Sequence, residues 1–465
     1  MHRRFFMAAF IFAAGVIPRP AAAQSTVQWW VTTGDKTALL SLQTPLGFSE
    51  ASGDHAPDIT VDADQKFQPI DGFGFALTGG SAQHLIDMQP ENRHRLLRQL
   101  FDPVQGIGIS YLRVSIGSSD LNDHTFSYDD LPAGQTDTAL KRFNLAEDTA
   151  DVIPVLQEIL AINPRIKILG SPWSAPLWMK TNHHIQAGHL KKEYYPVYAR
   201  YFVRYIQAMQ AHGIAIDAIT VQNEPFNDGN TPSMQFFAKE ELHFIKNDLG
   251  PAFRAAGIHT KIILYDHNCD APEYPISILT DPEVRPYVDG SGFHLYAGPI
   301  TAMTRVHNAF PDKNLYFTEY MLVNFSHLFT GISKQVSRII IGATRNWSRN
   351  VILWNLAANS QFEPHTDHGG CDMCQGAVSI DGDSVTRNVA YYAMGQFAKF
   401  VPAGSVRVAS TENDLWPNVA FLTPTGKTVL VVANQAGESR ECHIRYAGKT
   451  LQARLPADAV ATFTW

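Results

Sequence analysis

The segment Ala218-Ile219-Thr220-Val221-Gln222-Asn223-Glu224-Pro225 runs from apolar and β-branched residues straight into Asn-Glu-Pro. Such a run reads as a buried strand. Pro225 ends it, because proline lacks an N–H and cannot continue a central ladder. Glu224 is thereby left at the C-terminal lip of a strand, beside an amide and apolar neighbours, where a carboxyl group can transfer a proton. Leu315-Tyr316-Phe317-Thr318-Glu319-Tyr320 ends in the same way. A lone strand-terminal glutamate is more often a helix cap or half of a salt bridge. Two of them, distant in sequence and facing each other across a barrel mouth, form the pair of carboxylates that hydrolysis of a glycosidic bond requires.

The elements that must position this pair form a regular series. Strands are predicted at 67–77, 109–116, 166–169, 218–224, 261–265, 288–296, 314–319 and 350–356, with helices at 81–100, 145–162, 194–212 and 391–400. Eight strands alternating with helices predict a (β/α)8 TIM barrel. Polar and aromatic residues gather after strands three, four, six, seven and eight, at the end where such barrels keep their chemistry. Arg113 lies inside an apolar strand and calls for a carboxylate partner. Tyr198, Tyr201, Phe202, Tyr205 and Met209 recur at core-facing helical spacing, so they read as packing. Gly72 and Gly74 form a Gly-x-Gly without the spacing of a dinucleotide loop.

From Gly404 the rhythm changes to short strands at 406–408, 419–422, 428–433, 442–446 and 460–465, joined by turns such as Pro424-Thr425-Gly426. These predict a small all-β sandwich side domain. Strands at 27–31 and 37–42 precede the barrel and complete it. The expected organisation is a signal peptide at 1–23, sandwich strands within 24–66, the catalytic barrel at 67–402 and the sandwich at 403–465.

Residues 1–23 carry His2, Arg3 and Arg4, an apolar stretch from Phe5 to Val16, and Ala21-Ala22-Ala23 before Gln24. That is the pattern of a secretory signal, and it predicts export to the periplasm or outside the cell. The apolar stretch is too short to span a bilayer well, and no later stretch is longer. Removing the segment takes away three arginines and no acids, moving the net charge from −7 to −10. An acidic protein is a poor partner for nucleic acid or an anionic membrane surface. Of four cysteines, Cys371 and Cys374 form a Cys-x-x-Cys in a loop rich in Gly, His and Asp. With His365 and His368 nearby they could be half of a zinc site, but no second pair completes it. A short disulfide that stiffens the loop is the expectation, with no metal and no cofactor.

The joint order of several motifs resembles glycoside hydrolase family 30, along nearly the whole mature chain. They are Asp71-Gly72-Phe73-Gly74, the 171–180 segment, Asn223-Glu224-Pro225, His294-Leu295-Tyr296, Trp354-Asn355-Leu356-Ala357 and the 395–400 helix. Glu-Asn-Asp-Leu at 412–415 and the closing Thr-Phe-Thr-Trp are similar to its side domain. The resemblance implies retaining hydrolysis of β-glycosides, with Glu224 as general acid/base and Glu319 as nucleophile. It implies that Trp173, Asn223, His294, Tyr296 and Trp354 line the sugar site, with Arg113 beside them. Glu224 is then expected to have a raised pKa, so that it holds its proton until it meets the leaving oxygen.

Within that family the sequence is most similar to the glucosylceramidase-like branch, with one departure. Gly79 stands where that branch has an aspartate that binds glucose hydroxyls. Either Asp120 or Asp123 supplies the missing acceptor, or the corner is looser, and the looser corner is the expectation. The leading expectation is a glucosylceramidase-like β-glucosidase acting on a β-glucoside, glucosylceramide or a β-glucan. The alternatives are an endo-β-1,6-glucanase, another β-glycosidase such as a fucosidase or xylosidase, and a non-catalytic carbohydrate-binding barrel.

Overall fold

The computed structural model describes residues 26–50, 56–322 and 331–465. The signal segment at 1–23 lies outside the described residues. Eight parallel strands close into a barrel in chain order: Gly72–Leu77, Tyr111–Ser115, Lys167–Ser171, Ala218–Thr220, Lys261–Asn268, Val288–His294, Asn314–Glu319 and Ser348–Leu353. Each strand pairs with its neighbours in sequence, and the eighth pairs with the first. Among the described residues no helix is long and apolar enough to cross a membrane.

Inside the barrel, Tyr111, Leu169, Ala218, Ile263, Tyr316 and Ile352 pack into one apolar layer. Branched and aromatic side chains from six strands thus plug the interior. Polar groups are confined to the strand ends above that plug. The register brings Asn268, His294 and Glu319 side by side at the ends of strands five, six and seven.

The first barrel strand departs from the expected 67–77. Residues up to Pro69 belong instead to Ile59–Pro69, a sandwich strand paired with Val406–Ser410. The barrel strand starts only at Gly72. Pro69 has no N–H to extend the ladder. Asp71 is pinned at the bottom of the barrel by Lys167 and Arg349, each at 2.9 Å. Gly72 has φ +153°, and a Cβ there would lie 2.6 Å from Ser110 Oγ, so the chain bends where only glycine fits. The predicted helix 81–100 is also two helices, Gly79–Asp87 and Pro90–Phe101. Pro90 separates them, for it tolerates the first turn of a helix but not an interior.

The side domain is one sheet whose strands come from both ends of the chain. Thr26–Thr33 pairs antiparallel with Ala459–Thr464, and Ile59–Pro69 lies between Val406–Ser410 and Arg440–Tyr446. One strand, Lys449–Leu455, was not expected from the sequence. Its hairpin turns at Ala447-Gly448, both with positive φ, as a two-residue primed turn needs. Alanine is a poor signal for that conformation, which hid the turn. Trp29 stacks on Phe463, its cross-strand partner, with ring centres 5.3 Å apart. Its indole N–H donates to Thr44 O at 2.9 Å. Trp29→Ala is expected to destabilise the protein by roughly 3–5 kcal/mol, the usual cost of deleting a buried aromatic. A melting temperature unchanged from wild type would show that the N-terminal strand does not hold the sheet.

Candidate active site

Arg113, fully buried on the second strand, sits under the strand ends and donates in four directions. Its Nη1 donates to Glu319 Oε2 at 2.5 Å, and its Nη2 to Asn223 Oδ1 at 2.7 Å, Asp266 Oδ2 at 2.9 Å and Ser171 Oγ at 3.3 Å. Asp266, on the fifth strand, is equally enclosed. It also accepts from Ser171 Oγ, Thr220 Oγ1 and Thr318 Oγ1 at 2.6–2.8 Å. Burial opposes the charge on Asp266, but Arg113 and His294 overcome it and hold the carboxyl well below the usual range. Burial likewise opposes the charge on Arg113, and the carboxylates of Asp266 and Glu319 reverse that.

Glu224 follows its strand in a left-handed turn with φ +46°, and its N–H donates to Asp266 O at 3.0 Å. Its Oε1 lies 3.1 Å from His294 Nδ1 and 3.5 Å from His267 Nδ1. Its Oε2 accepts from Asn227 Nδ2 at 2.7 Å and, more weakly, from Asn230 Nδ2 at 3.4 Å. The expectation of a raised pKa for Glu224 is corrected here. Burial does push it up, but the hydrogen bonds from His267 and His294 outweigh burial and hold the carboxyl below its ordinary range. The proton lies on His294 instead. Burial lowers that imidazole, yet Glu319, Asp266 and Glu224 together raise it to about 9. As imidazolium it donates from both nitrogens, Nδ1 to Glu224 and Nε2 to Asp266 Oδ1 at 3.1 Å.

Glu319 faces Glu224 across the same ring, 3.9 Å from His294 Nδ1. The Tyr296 hydroxyl donates to its other oxygen at 3.1 Å. Trp173 and Trp354 stack on each other, ring centres 5.3 Å apart, and the guanidinium of Arg113 lies over both rings. Asn223 spends its Oδ1 on Arg113, which leaves its Nδ2 for a ligand.

All eight residues singled out from the sequence belong to this one cluster, but not all face outward. Arg113 and His294 are fully buried, so they form the floor and do not line the sugar surface as the resemblance implied. The stacked tryptophans have each spent one face on the other. Four groups were missed: Asp266, His267, Asn227 and Asn230. The signal was the run Tyr265-Asp266-His267-Asn268. Strand five continues through it to Asn268, although Tyr265 and Asp266 both have positive φ. That bend turns Asp266 inward.

The corner at Gly79 is closed, not open. A Cβ on Gly79 would lie 1.9 Å from Asn122 Nδ2, so that side chain occupies the space. Asp123 sits at the surface against His124, whereas Asp120 is buried. The chain after the eighth strand carries a small three-stranded sheet and the disulfide Cys371–Cys374. Cys374 packs with Trp173 and Trp354, which joins that loop to the site. Among the described residues, Glu224, His267 and His294 are the one trio of ligand-type groups gathered closely enough for a metal ion. Two of them are already bound to each other by a hydrogen bond.

A TIM barrel with two carboxyls facing each other at its C-terminal mouth, on a floor of Arg, Asp and His, is built as a glycoside hydrolase. Its profile matches confirm the family: the family 30 TIM-barrel domain covers residues 70–401, and the family 30 β-sandwich domain covers 404–463. The chain belongs to glycoside hydrolase family 30. It is 32% identical to an endo-1,6-β-D-glucanase of Trichoderma harzianum, covering 96% of this chain and 94% of that one. It is 30% identical to the lysosomal acid glucosylceramidase of Mus musculus, over 82% and 78% of the two chains. A solved endo-β1,6-glucanase superposes with TM-score 0.86 at 32% identity, covering 94% of this chain and 99% of its own.

The raised pKa of His294 has a consequence for stability. Its ion pairs contribute fully below the unfolded-state value of 6.5 and are lost as pH rises through about 9. Denaturant midpoints are therefore expected to fall between pH 6.5 and 9, and the fall should be smaller in His294→Gln. Parallel pH profiles for the two proteins would refute the buried imidazolium.

Proposed function

We propose that the chain is a retaining endo-β-1,6-glucanase, with Glu319 as nucleophile and Glu224 as general acid/base. The observation that carries the mechanism is the placement of both carboxyls around His294 Nδ1, at 3.1 and 3.9 Å. So close a facing pair suits the retaining spacing of about 5–5.5 Å and leaves little room for the water of an inverting enzyme.

In the first step a Glu319 oxygen bonds to the anomeric carbon while the bond to the leaving oxygen breaks. Arg113 and Tyr296 keep Glu319 ionised and aimed. The leaving oxygen takes the proton that Glu224 and His294 share across their hydrogen bond. In the second step the Glu224 carboxylate takes a proton from water, whose oxygen displaces Glu319 from the same carbon. Two inversions give net retention. The free Nδ2 of Asn223 is placed to hydrogen-bond the 2-hydroxyl.

The choice of β-1,6-glucan rests on likeness over both domains to endo-1,6-β-D-glucanases. The sequence put a glucosylceramidase-like β-glucosidase first, and likeness to the mouse enzyme keeps that as the second reading. The two separate on substrate. Incubation with linear β-1,6-glucan is expected to release short oligosaccharides early, from internal cleavage, while glucosylceramide is left intact. Glucose alone as the first product, or faster release from glucosylceramide, would reverse the order.

The catalytic pair is tested by leaving-group chemistry. Glu319→Gln is expected to abolish turnover of every substrate. Glu224→Gln should cost far more on β-1,6-glucan than on an aryl glucoside with a good leaving group, which needs little protonation. Equal losses on both would remove Glu224 from the acid role.

A further inference from the structure

Asp120 is a buried acid that the mechanism above does not use. It lies in the turn Ser118-Ser119-Asp120-Leu121-Asn122, after the second strand. That turn is fixed on every side. Asp120 O accepts from Thr366 N–H at 2.9 Å, and Leu121 O from Gly80 N–H at 2.8 Å. Asn122 Oδ1 accepts from Ser119 N–H at 2.9 Å, and Leu121 packs against Trp173 and Trp354.

The carboxyl group of Asp120 has no such anchoring. Asp120 is only 8% exposed, and its Oδ1 is buried without a hydrogen-bond partner. The charges that act on it are those of Glu319, Glu224 and Arg113. Burying a polar atom unpaired costs roughly 1–3 kcal/mol, and two neighbouring carboxylates add to that. Buried polar groups are normally satisfied, so one left open beside a catalytic pair marks the place of a missing partner. Burial and the repulsion of Glu319 and Glu224 also raise its pKa to about 8. At neutral pH the group therefore carries a proton and offers one donor along with its acceptors. A second anion would be repelled here, and a cation would find a neutral acid. A neutral hydroxyl, itself both donor and acceptor, fits.

We propose that Asp120 is a specificity residue whose carboxyl group hydrogen-bonds a hydroxyl of the sugar ring held over Glu319. The inference rests on the function proposed above and deepens it. Asn122, which fills the space beside Gly79, packs the same turn and holds Asp120 in place.

The test uses an aryl β-gentiobioside and its 3-deoxy and 4-deoxy forms, altered on the ring that bears the aryl group. Asp120→Ala is expected to lower kcat/KM on the parent by roughly ten- to hundredfold. On one of the deoxy sugars the loss should shrink to a few-fold, because the partner hydroxyl is already gone. Asp120→Asn, which keeps a donor and an acceptor, should recover most of the activity. A loss of equal size on all three sugars, or none, overturns the proposal and leaves Asp120 a structural or water-binding group. If Asp120→Ala does not fold, Asp120→Asn is read against the same three sugars for the same coupling. A wild-type enzyme inert on every β-glucoside removes the proposed function and this inference together. Turnover by wild type with no coupling removes only the role of Asp120.

Discussion

The active end of this barrel depends on one buried contact, that between Arg113 and Asp266. Neither side chain touches solvent. Two charges removed from water repay their desolvation only if the geometry is good and further hydrogen bonds satisfy what is left over. Here Asp266 collects three hydroxyls and an imidazole besides the guanidinium, and Arg113 reaches Glu319, Asn223 and Ser171 as well. Strands two, three, four, five, six and seven are joined through these two groups. Their ends cannot shift independently, so the carboxyl that attacks and the one that gives the proton are held in one frame.

That frame also sets the distribution of protons. Four acids, Glu224, Glu319, Asp266 and Asp120, crowd around Arg113 and His294. They cannot all be ionised in so little space. Asp266, paired with the guanidinium, is ionised most readily. Asp120, without a partner, is the one that retains its proton. His294 takes a further proton and holds it between Glu224 and Asp266. The resting site is thus charged in a definite pattern, and the proton for the leaving group lies one hydrogen bond from Glu224. Preorganised charge of this kind stabilises a transition state without rearranging when it forms.

The side domain serves the barrel by closing the chain on itself. A strand from before the barrel and one from the C-terminus pair directly, and Ile59–Pro69 leads from the sheet into the first barrel strand. The turn at Asp71–Gly72 is therefore a joint between the two units, which is why a continuous apolar run at 67–77 belongs to both.

What the sequence determined by itself was the local grammar. Strand and helix alternate at a spacing that permits little but a barrel, proline and glycine mark the breaks, and Glu224 and Glu319 stand at strand ends where buried apolar runs stop. The Cys371–Cys374 spacing of three is short enough to read as a closed loop. Arg113, isolated among apolar residues, announced that a carboxylate had to meet it. Only the tertiary structure decided which one, because Asp266 is 153 positions away and turns inward through a left-handed bend that no local preference demands. The same holds for the pKa of Glu224. Its neighbours in sequence are apolar and argue for a raised value, while its neighbours in space are two histidines from other strands and lower it. Gly79 implied an open corner until Asn122, from a different loop, was found filling it. Strand order and strand ends follow from short-range chemistry. The ionisation state and shape of the site depend on groups that meet only when the barrel closes, and electrostatics and packing act through space rather than along the chain.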